Sequence, residues 1–588
     1  MNFIKSFFAS VLGTITAFIL VFVFLLLIIS GMASAFQTST LTKSIKSKSI
    51  LKLDLNREIA DRAPDFNQIE VILEINEEVA DLHQLLSAIS TAANHPDIEG
   101  IVLRTDFIGG GWSQTRELRN ALKAFKNSGK FIYAYGDFLS QKGYYIASVA
   151  DSIYLNPAGM MEFKGLASEV LYYKDFQDQY GLKMEVIRHG KYKSAVEPFL
   201  EKTMSEANRY QIQTLLKSLW ETILDEIAAS RNIDPALLDE FAASASIAVP
   251  QDALQMKLID QLGYEQDIES HIKNLINIDE DDKLSYVSPS TLNKNKPIYN
   301  AEIKDRIAVV YAQGPILYGS GSDSFIAQGE FTKAFETLAK DDWIKAIVLR
   351  IDSPGGSSLT SELLWQAIEK TKAKKPVIVS MGNVAASGGY YIAAGANQIF
   401  VDPLTITGSI GVFATLPNAS TFFNKIGIRA QQVETHPNAL GYSPFSPLSD
   451  AFKTQMQKGI ETTYSLFKKR VQMGRSLNAE QVENIAQGRV WSGKEAVMVG
   501  LADRIGGLQD AIAAAAETVG IESYNVVDYP KFEKGFEEIF GGFSTLISHR
   551  DPILKLLPKN TFYYFEQLHK TTPTPSLHML LPFELNIR

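Results

Sequence analysis

Two short segments of this chain carry residue types that could do covalent chemistry. The first is Ala385-Ala386-Ser387-Gly388-Gly389-Tyr390, a lone serine among small residues. Set between a strand and a helix, such a serine can hold its hydroxyl exposed with the following N–H groups aimed at an oxyanion. A serine among alanines and glycines also serves as a packing site, and the residues leave both readings open. Upstream, Asp352-Ser353-Pro354-Gly355-Gly356-Ser357 closes a strand and opens a helix. Adjacent glycines there either let backbone N–H groups approach a ligand or close a tight turn. No Gly-Lys-Ser/Thr follows, which argues against a phosphate loop.

A serine nucleophile needs a base. The chain has 8 histidines, and none lies between Ser387 and Thr435. It has 0 cysteines, which excludes a thiol nucleophile, disulfides, thiolate zinc sites and iron–sulfur clusters. The remaining segment of interest is Gly190-Lys191-Tyr192-Lys193-Ser194-Ala195-Val196-Glu197-Pro198-Phe199, beside His189. A lysine in such a segment is ordinarily a solvated surface residue.

An internal repeat changes the weight of that lysine. Ile101-Val102-Leu103-Arg104 recurs as Ile347-Val348-Leu349-Arg350, an offset of 246 residues. The same offset aligns Asp106 with Asp352, Gly109-Gly110 with Gly355-Gly356, and Gly143-Tyr144-Tyr145-Ile146-Ala147 with Gly389-Tyr390-Tyr391-Ile392-Ala393. Between 101–165 and 347–411, 21 of 65 positions are identical without a gap. The register holds to Pro198-Phe199 and Pro444-Phe445, then becomes 243 at Leu258, Asp260 and Gly263 against Leu501, Asp503 and Gly506. The chain therefore holds two tandem copies of one domain, with a period far too long for a solenoid. Under this alignment Lys193 faces Ala439, Ser387 faces Gln141, and Gly388 faces Lys142. The first copy keeps a lysine without the serine, and the second keeps the serine without the lysine. One complementary pair has been split across a duplication.

Strand and helix signals must position these residues. Ile307-Ala308-Val309-Val310-Tyr311 reads as a buried strand closed by Gly314-Pro315, with further strands over 344–351, 376–381 and 398–401. Residues 359–372 carry apolar positions near helical spacing. Strand–helix alternation implies helices packed on a mostly parallel sheet, so each copy is α/β. The Asn-, Asp-, Lys- and Pro-rich stretch 273–304 reads as a linker. Phe583, Leu585 and Ile587 alternate in a tail that has no counterpart in the first copy, which suggests a terminal strand.

Composition sets the frame. The chain has 588 residues with 46% hydrophobic and 21% charged, the profile of a multi-domain globular protein. Its net charge of −9 argues against nucleic acid as a partner. No charged residue lies in 7–32, a run rich in Phe, Leu, Ile and Val. That length exceeds the roughly 30 Å hydrocarbon core and predicts one membrane-spanning anchor. Ala33-Ser34-Ala35 would suit a cleaved signal peptide, but the apolar run is longer than a signal core. Lysines at 43, 46, 48 and 52 pull toward the cytoplasm under the positive-inside rule. A short N-terminus before a large domain nevertheless places the bulk outside the cytoplasmic membrane.

Taken together, the Ser-Pro-Gly-Gly loop, the Ala-Ala-Ser-Gly-Gly-Tyr-Tyr motif, Thr407-Gly408-Ser409-Ile410-Gly411-Val412 and the segment from Tyr192 to Phe199 resemble the signal peptide peptidase A family, protease IV type, in its long duplicated form. The resemblance covers roughly residues 49–525 and the anchor. It implies two tandem α/β domains of Clp protease/crotonase-like spiral fold, preceded by one transmembrane helix. It implies a Ser–Lys dyad with Ser387 as nucleophile and Lys193 as general base, and no metal or cofactor. The oxyanion hole would use the N–H of Gly388 and one from Gly355 or Gly356. Ser409 is either an orienter of the lysine or a turn residue. Lys191 is the rival base, and Glu197 a structural partner. A lysine base must be deprotonated, so burial among Val384, Ala385, Ala386, Tyr390 and Tyr391 is expected to lower its pKa. Expected partners are hydrophobic peptides and cleaved signal peptides, the membrane, and other copies in a homotetramer, at the inner membrane with the bulk on the periplasmic side. The expected divisions are an anchor at 1–35, a first copy at 36–285, a linker at 286–305, a second copy at 306–527 and a tail of open role at 528–588. Two other classes stay in view: a crotonase-like acyl-CoA enzyme, which would not need Ser387, and a non-catalytic quality-control scaffold at the membrane.

Overall fold

Runs that are apolar on both faces can lie only inside a sheet covered by helices. The computed structural model, which describes residues 45–63, 79–294, 300, 302–532 and 578–580 together with 7, 12–21, 23 and 24, has two such sheets. In the first copy the parallel strands lie in the order Gln261–Leu262, Ser152–Met161, Phe131–Leu139, Ile98–Arg104, Ser49–Asp54, Ser285–Val287. The second copy repeats that order with Arg504–Ile505, Gln398–Val401, Val377–Ala386, Ile344–Ser353, Arg306–Gln313 and Asn525–Tyr529. The duplication read from the sequence is thus a duplication of topology. The strand expected to end at Met381 runs on to Ala386 and delivers Ser387 to the carboxyl end of the sheet, where open α/β sheets place their sites.

Helices repeat too. Glu206–Arg231 and Asp450–Arg475 each have 26 residues, with Ser205 and Ser449 as N-caps and left-handed Asn232 and Ser476 at their C-terminal ends. Arg231 and Asp260 form an ion pair at 2.8 Å, and Arg475 and Asp503 repeat it at 2.5 Å. These helices are related by 244, so the slip from 246 to 243 occurs in two steps around them.

The stretch expected as a linker is partly domain. Ser285–Val287 adds a strand to the first sheet, and in the helix Pro289–Lys294 the Leu292 side chain is fully buried. Turn-forming residues misled because the flanking strand is only three residues long. Tyr529, which pairs with Val310, likewise carries the second copy slightly past 527. The alternation at Phe583, Leu585 and Ile587 lies outside the described residues; the described C-terminal strand is His578–Leu580. Half of the apolar run 7–32 also lies outside them. Its described part, residues 12–21, is helical and exposed, and among the described residues no helix is long and apolar enough to cross a membrane.

A third, four-stranded antiparallel sheet joins the copies. Lys183–His189 of the first pairs along its whole length with Val412–Asn418 of the second, from His189 opposite Val412 to Lys183 opposite Asn418. His578–Leu580 lies on the other side of Val412–Asn418 and pairs in turn with Gly355–Ser357. The cores also merge, since Leu404, Ile406 and Val490 pack into the apolar cluster of the first copy.

A buried charge cluster ties the copies at a second point. The fully buried Arg350 guanidinium donates to both oxygens of Asp61 at 2.8 and 2.9 Å and to Glu117 at 2.6 Å. Gln114 Nε2 also donates to Asp61, at 3.1 Å. Asp352, two residues on from Arg350, accepts from the Val384 N–H at 3.0 Å and from Asn383 Nδ2 at 2.9 Å. Burial first, and the charge of Asp61 second, push the Asp352 carboxyl up to about 7. Removing the cation would strand the carboxylates in a dry site. Arg350→Met should therefore lower stability by about 3 to 5 kcal/mol in urea denaturation. A loss under about 1 kcal/mol would show that the cluster adds little to holding the copies together.

Candidate active site

The structure brings Ser387 and Lys193 together across the boundary between the copies. Lys193 Nζ lies 2.9 Å from Ser387 Oγ, 2.9 Å from Ser409 Oγ and 3.0 Å from the Ser409 carbonyl oxygen. All three residues are fully buried.

Ser387 owes its position to a strained turn. It follows the last strand residue Ala386 and precedes the helix Gly388–Ala393, with φ 56° and ψ −114°. A non-glycine residue held there stores about 1 to 3 kcal/mol, which surrounding bonds must offset. Ser387 N–H donates to Gly408 O at 2.8 Å, and Tyr391 N–H donates to Ser387 O at 2.9 Å. Ser409 also has positive φ, 52°, and its N–H donates to Arg489 O at 2.7 Å.

Lys193 follows the inter-copy strand Lys183–His189 through a short turn. Tyr192 N–H donates to Gln487 O at 2.9 Å, which fastens that turn to the second copy. The lysine then runs over two glycines. A Cβ on Gly488, where φ is +82°, would stand 2.6 Å from both Cβ and N of Lys193. A Cβ on Gly411 would stand 3.1 Å from Lys193 Cδ. The Phe413 ring centroid lies 5.9 Å from Nζ. This envelope differs from the expected one. Tyr390 and Tyr391 turn their hydroxyls to Leu501 O and Glu362 instead.

Burial alone drives the Lys193 ammonium well below its ordinary value of 10.5. Glu197 does not oppose that effect. Its carboxylate accepts from Ser205 N–H at 3.0 Å, Ser205 Oγ at 2.7 Å, Tyr172 Oη at 2.9 Å and Asn208 Nδ2 at 3.2 Å. Burial works against its charge, yet those bonds together hold the carboxyl below the usual range. Lys191 is exposed, with its ammonium 5.4 Å from the Tyr192 ring centroid. His189 stacks on Tyr464 at 4.4 Å between ring centroids.

The glycines expected at an oxyanion hole converge. A Cβ on Gly355 would lie 2.7 Å from the Gly388 nitrogen, and a Cβ on Gly388 would lie 3.2 Å from the Gly356 nitrogen. Gly355 N–H donates to Ser353 Oγ at 3.2 Å, which leaves Gly388 and Gly356 as the better-suited donors. In the first copy the matching place is filled. Gln141 accepts from the N–H groups of Lys164 and Gly165 at 2.9 Å, and Lys142 Nζ donates to Gly110 O at 2.6 Å. The sequence motif holds Gly408 without showing its role, and Gly488 and Arg489 lie outside every motif. Gly488 carries a signal of a kind, a glycine before an arginine and three residues before a tryptophan, but nothing in the order of residues points it at a lysine nearly 300 positions earlier.

Comparison with known proteins identifies the family. A family model described as peptidase family S49 matches residues 124–279 and 369–522, one stretch in each copy. A model described as Clp protease matches residues 299–403. Protease 4 of Haemophilus influenzae is 32% identical over 547 residues, covering 90% of this chain and 88% of that one. Protease 4 of Salmonella typhi is 35% identical over 459 residues, covering 76% and 73%. The chloroplastic serine protease SPPA of Arabidopsis thaliana is 29% identical over 530 residues, covering 86% and 78%. With a buried serine and a buried lysine in contact between two copies of one domain, the chain belongs to peptidase family S49 and is a serine protease.

Proposed function

We propose that Ser387 is the nucleophile and Lys193 the general base of a Ser–Lys dyad that hydrolyses hydrophobic peptides, cleaved signal peptides among them. The observation that carries this reading is the 2.9 Å contact between Lys193 Nζ and Ser387 Oγ inside an envelope without water access. A neutral amine has two protons and one lone pair. The two protons satisfy the Ser409 carbonyl and hydroxyl oxygens, and the lone pair faces the Ser387 O–H. Ser387 Oγ attacks the peptide carbonyl while its proton passes to Lys193 Nζ. The N–H groups of Gly388 and Gly356 stabilise the oxyanion. The C–N bond breaks, and the Lys193 ammonium returns the proton to the leaving amine. Water, deprotonated by the same lysine, then opens the acyl-enzyme. Ser409 fixes the amine's direction and acts as a positioning residue.

The same reading places the chain at the inner membrane through the apolar run 7–32, with its bulk on the periplasmic side, as a homotetramer. The length and charge-free composition of that run support the anchor. Exposed Leu171, Phe176, Tyr180, Ile426 and Ile428 give an assembly apolar surface to bury. An anchor of this kind would hold the site close to peptides released from the bilayer.

Ser387→Ala and Lys193→Ala should each cut kcat by about a thousandfold or more in a fluorogenic peptide assay, while Lys191→Ala stays active. The opposite ranking of the two lysines would move the base to Lys191. Ser409→Ala should lower kcat about tenfold, the worth of one hydrogen bond.

With chemistry rate-limiting, kcat/KM should rise with pH as one lysine loses its proton, and a flat profile from roughly pH 6 to 9 would count against a lysine base. Stability carries the same signature. Because burial lowers the pKa of Lys193, the unfolded chain binds a proton that the folded chain does not. Lys193 therefore opposes folding at neutral pH, and this opposition fades as pH rises from the depressed folded value to 10.5. Lys193→Met should raise the melting temperature at pH 7, with a smaller gain at pH 10. A gain independent of pH would show that packing, rather than ionisation, is responsible.

A further inference from the structure

A strand from the chain's own C-terminal tail lies against the glycines next to Ser387. His578–Leu580 runs antiparallel to Gly355–Ser357, with Leu580 opposite Gly355, Met579 opposite Gly356 and His578 opposite Ser357. Its other edge meets Phe413 of the inter-copy strand. The approach is close. The position a Cβ would take on Gly355 lies 2.0 Å from the Met579 carbonyl oxygen and 2.7 Å from the Gly388 nitrogen. A carbonyl of the tail and an amide of the expected oxyanion hole thus border the same small space, one residue from Ser387.

We propose that His578–Leu580 is a displaceable internal occupant of the cleft in which a peptide substrate lies extended. The proposal rests on Ser387 being the nucleophile. Strand addition to an open edge is recognition through main-chain hydrogen bonds, so it accepts many sequences. That suits a peptidase, and it equally suits a segment of the peptidase itself. The occupant, whose Met579 side chain is fully buried, is three residues long, against seven in the inter-copy strand beside it. A pairing so short is far easier to open than the sheets that carry Ser387 and Lys193. Residues 533–577 tether it to the second copy, so it competes at the high effective concentration of an intramolecular ligand. A peptide must therefore displace the tail before it is cut.

The test compares the full chain with a chain ending at Lys570 and with full-length Met579→Lys, which places a charge where the anchor side chain is buried. Both should keep a cooperative melting transition, lowered by the lost packing of Met579. Both should be labelled at Ser387 by a fluorophosphonate about tenfold faster, and KM for a fluorogenic hydrophobic peptide should fall about tenfold with kcat little changed, as for a cleft open about a tenth of the time. A synthetic peptide of residues 574–584 should inhibit the shortened chain competitively, and the full chain should keep an intact C-terminus by mass spectrometry. Unchanged labelling and KM in folded variants would overturn the proposal. So would loss of labelling in the folded shortened chain, which would make the strand a wall of the site, or cleavage of the tail, which would make it a substrate. If the shortened chain does not fold, Met579→Lys decides alone. A full chain and variants that all fail to label at Ser387, yet cleave peptide, would overturn the Ser387 reading and this proposal with it.

Discussion

An amine kept dry is the condition on which this site rests. Lysine in water holds its proton too tightly to serve as a base near neutral pH. Lys193 is fully buried, and burial alone moves its pKa. Gly411 and Gly488 let backbone close over the side chain, Phe413 caps the head group, and two oxygens of Ser409 satisfy it without adding charge. A carboxylate in place of any of these would favour the charged ammonium instead. The Glu197 carboxylate, four residues away in sequence, is occupied by Tyr172, Ser205 and Asn208.

That requirement explains why two copies of one domain are joined so firmly. Neither copy alone can surround the lysine. The first supplies Lys193, and the second supplies nearly all that covers it. A seven-residue strand pairing, a merged apolar core and the Arg350–Asp61–Glu117 cluster fix the two within hydrogen-bond distance. Once the pair was divided, the older sites were free to fill. Gln141 and Lys142 now spend their polar groups on local backbone where the first copy would have held a nucleophile.

The duplication, the α/β class and the Ser387–Lys193 pair were legible in the sequence, because each is either a local pattern or a comparison of two patterns in one chain. The split of serine and lysine between copies was the most informative signal, since it shows two halves of a site rather than one suspicious residue. What stayed hidden has a common cause. Gly408, Arg489 and Gly488 act through backbone atoms and close approach, and backbone contacts leave no side-chain signature. Tyr390 and Tyr391 were read as the envelope because they adjoin the serine in sequence, yet the helix they belong to turns them toward Leu501 and Glu362. Ser285–Val287 was hidden by its polar, turn-forming neighbours. Asp61 gave no hint of its tie to Arg350, because a charge pairs by position in space and not by spacing along the chain.

The glycine behind the lysine has a consequence in time as well as in space. Lys193 leaves the ribosome early, Ser387 much later, and Gly488 later still. Chains are made from the N-terminus, and domains fold in that order. Until Gly488 and its neighbours are in place, the cover that buries Lys193 against Ser387 is incomplete. A chain that has reached Ser387 but not Gly488 thus carries both residues of the pair without the complete cover that buries the lysine. The order of the parts along the chain leaves completion of the buried pair to a late stage of synthesis.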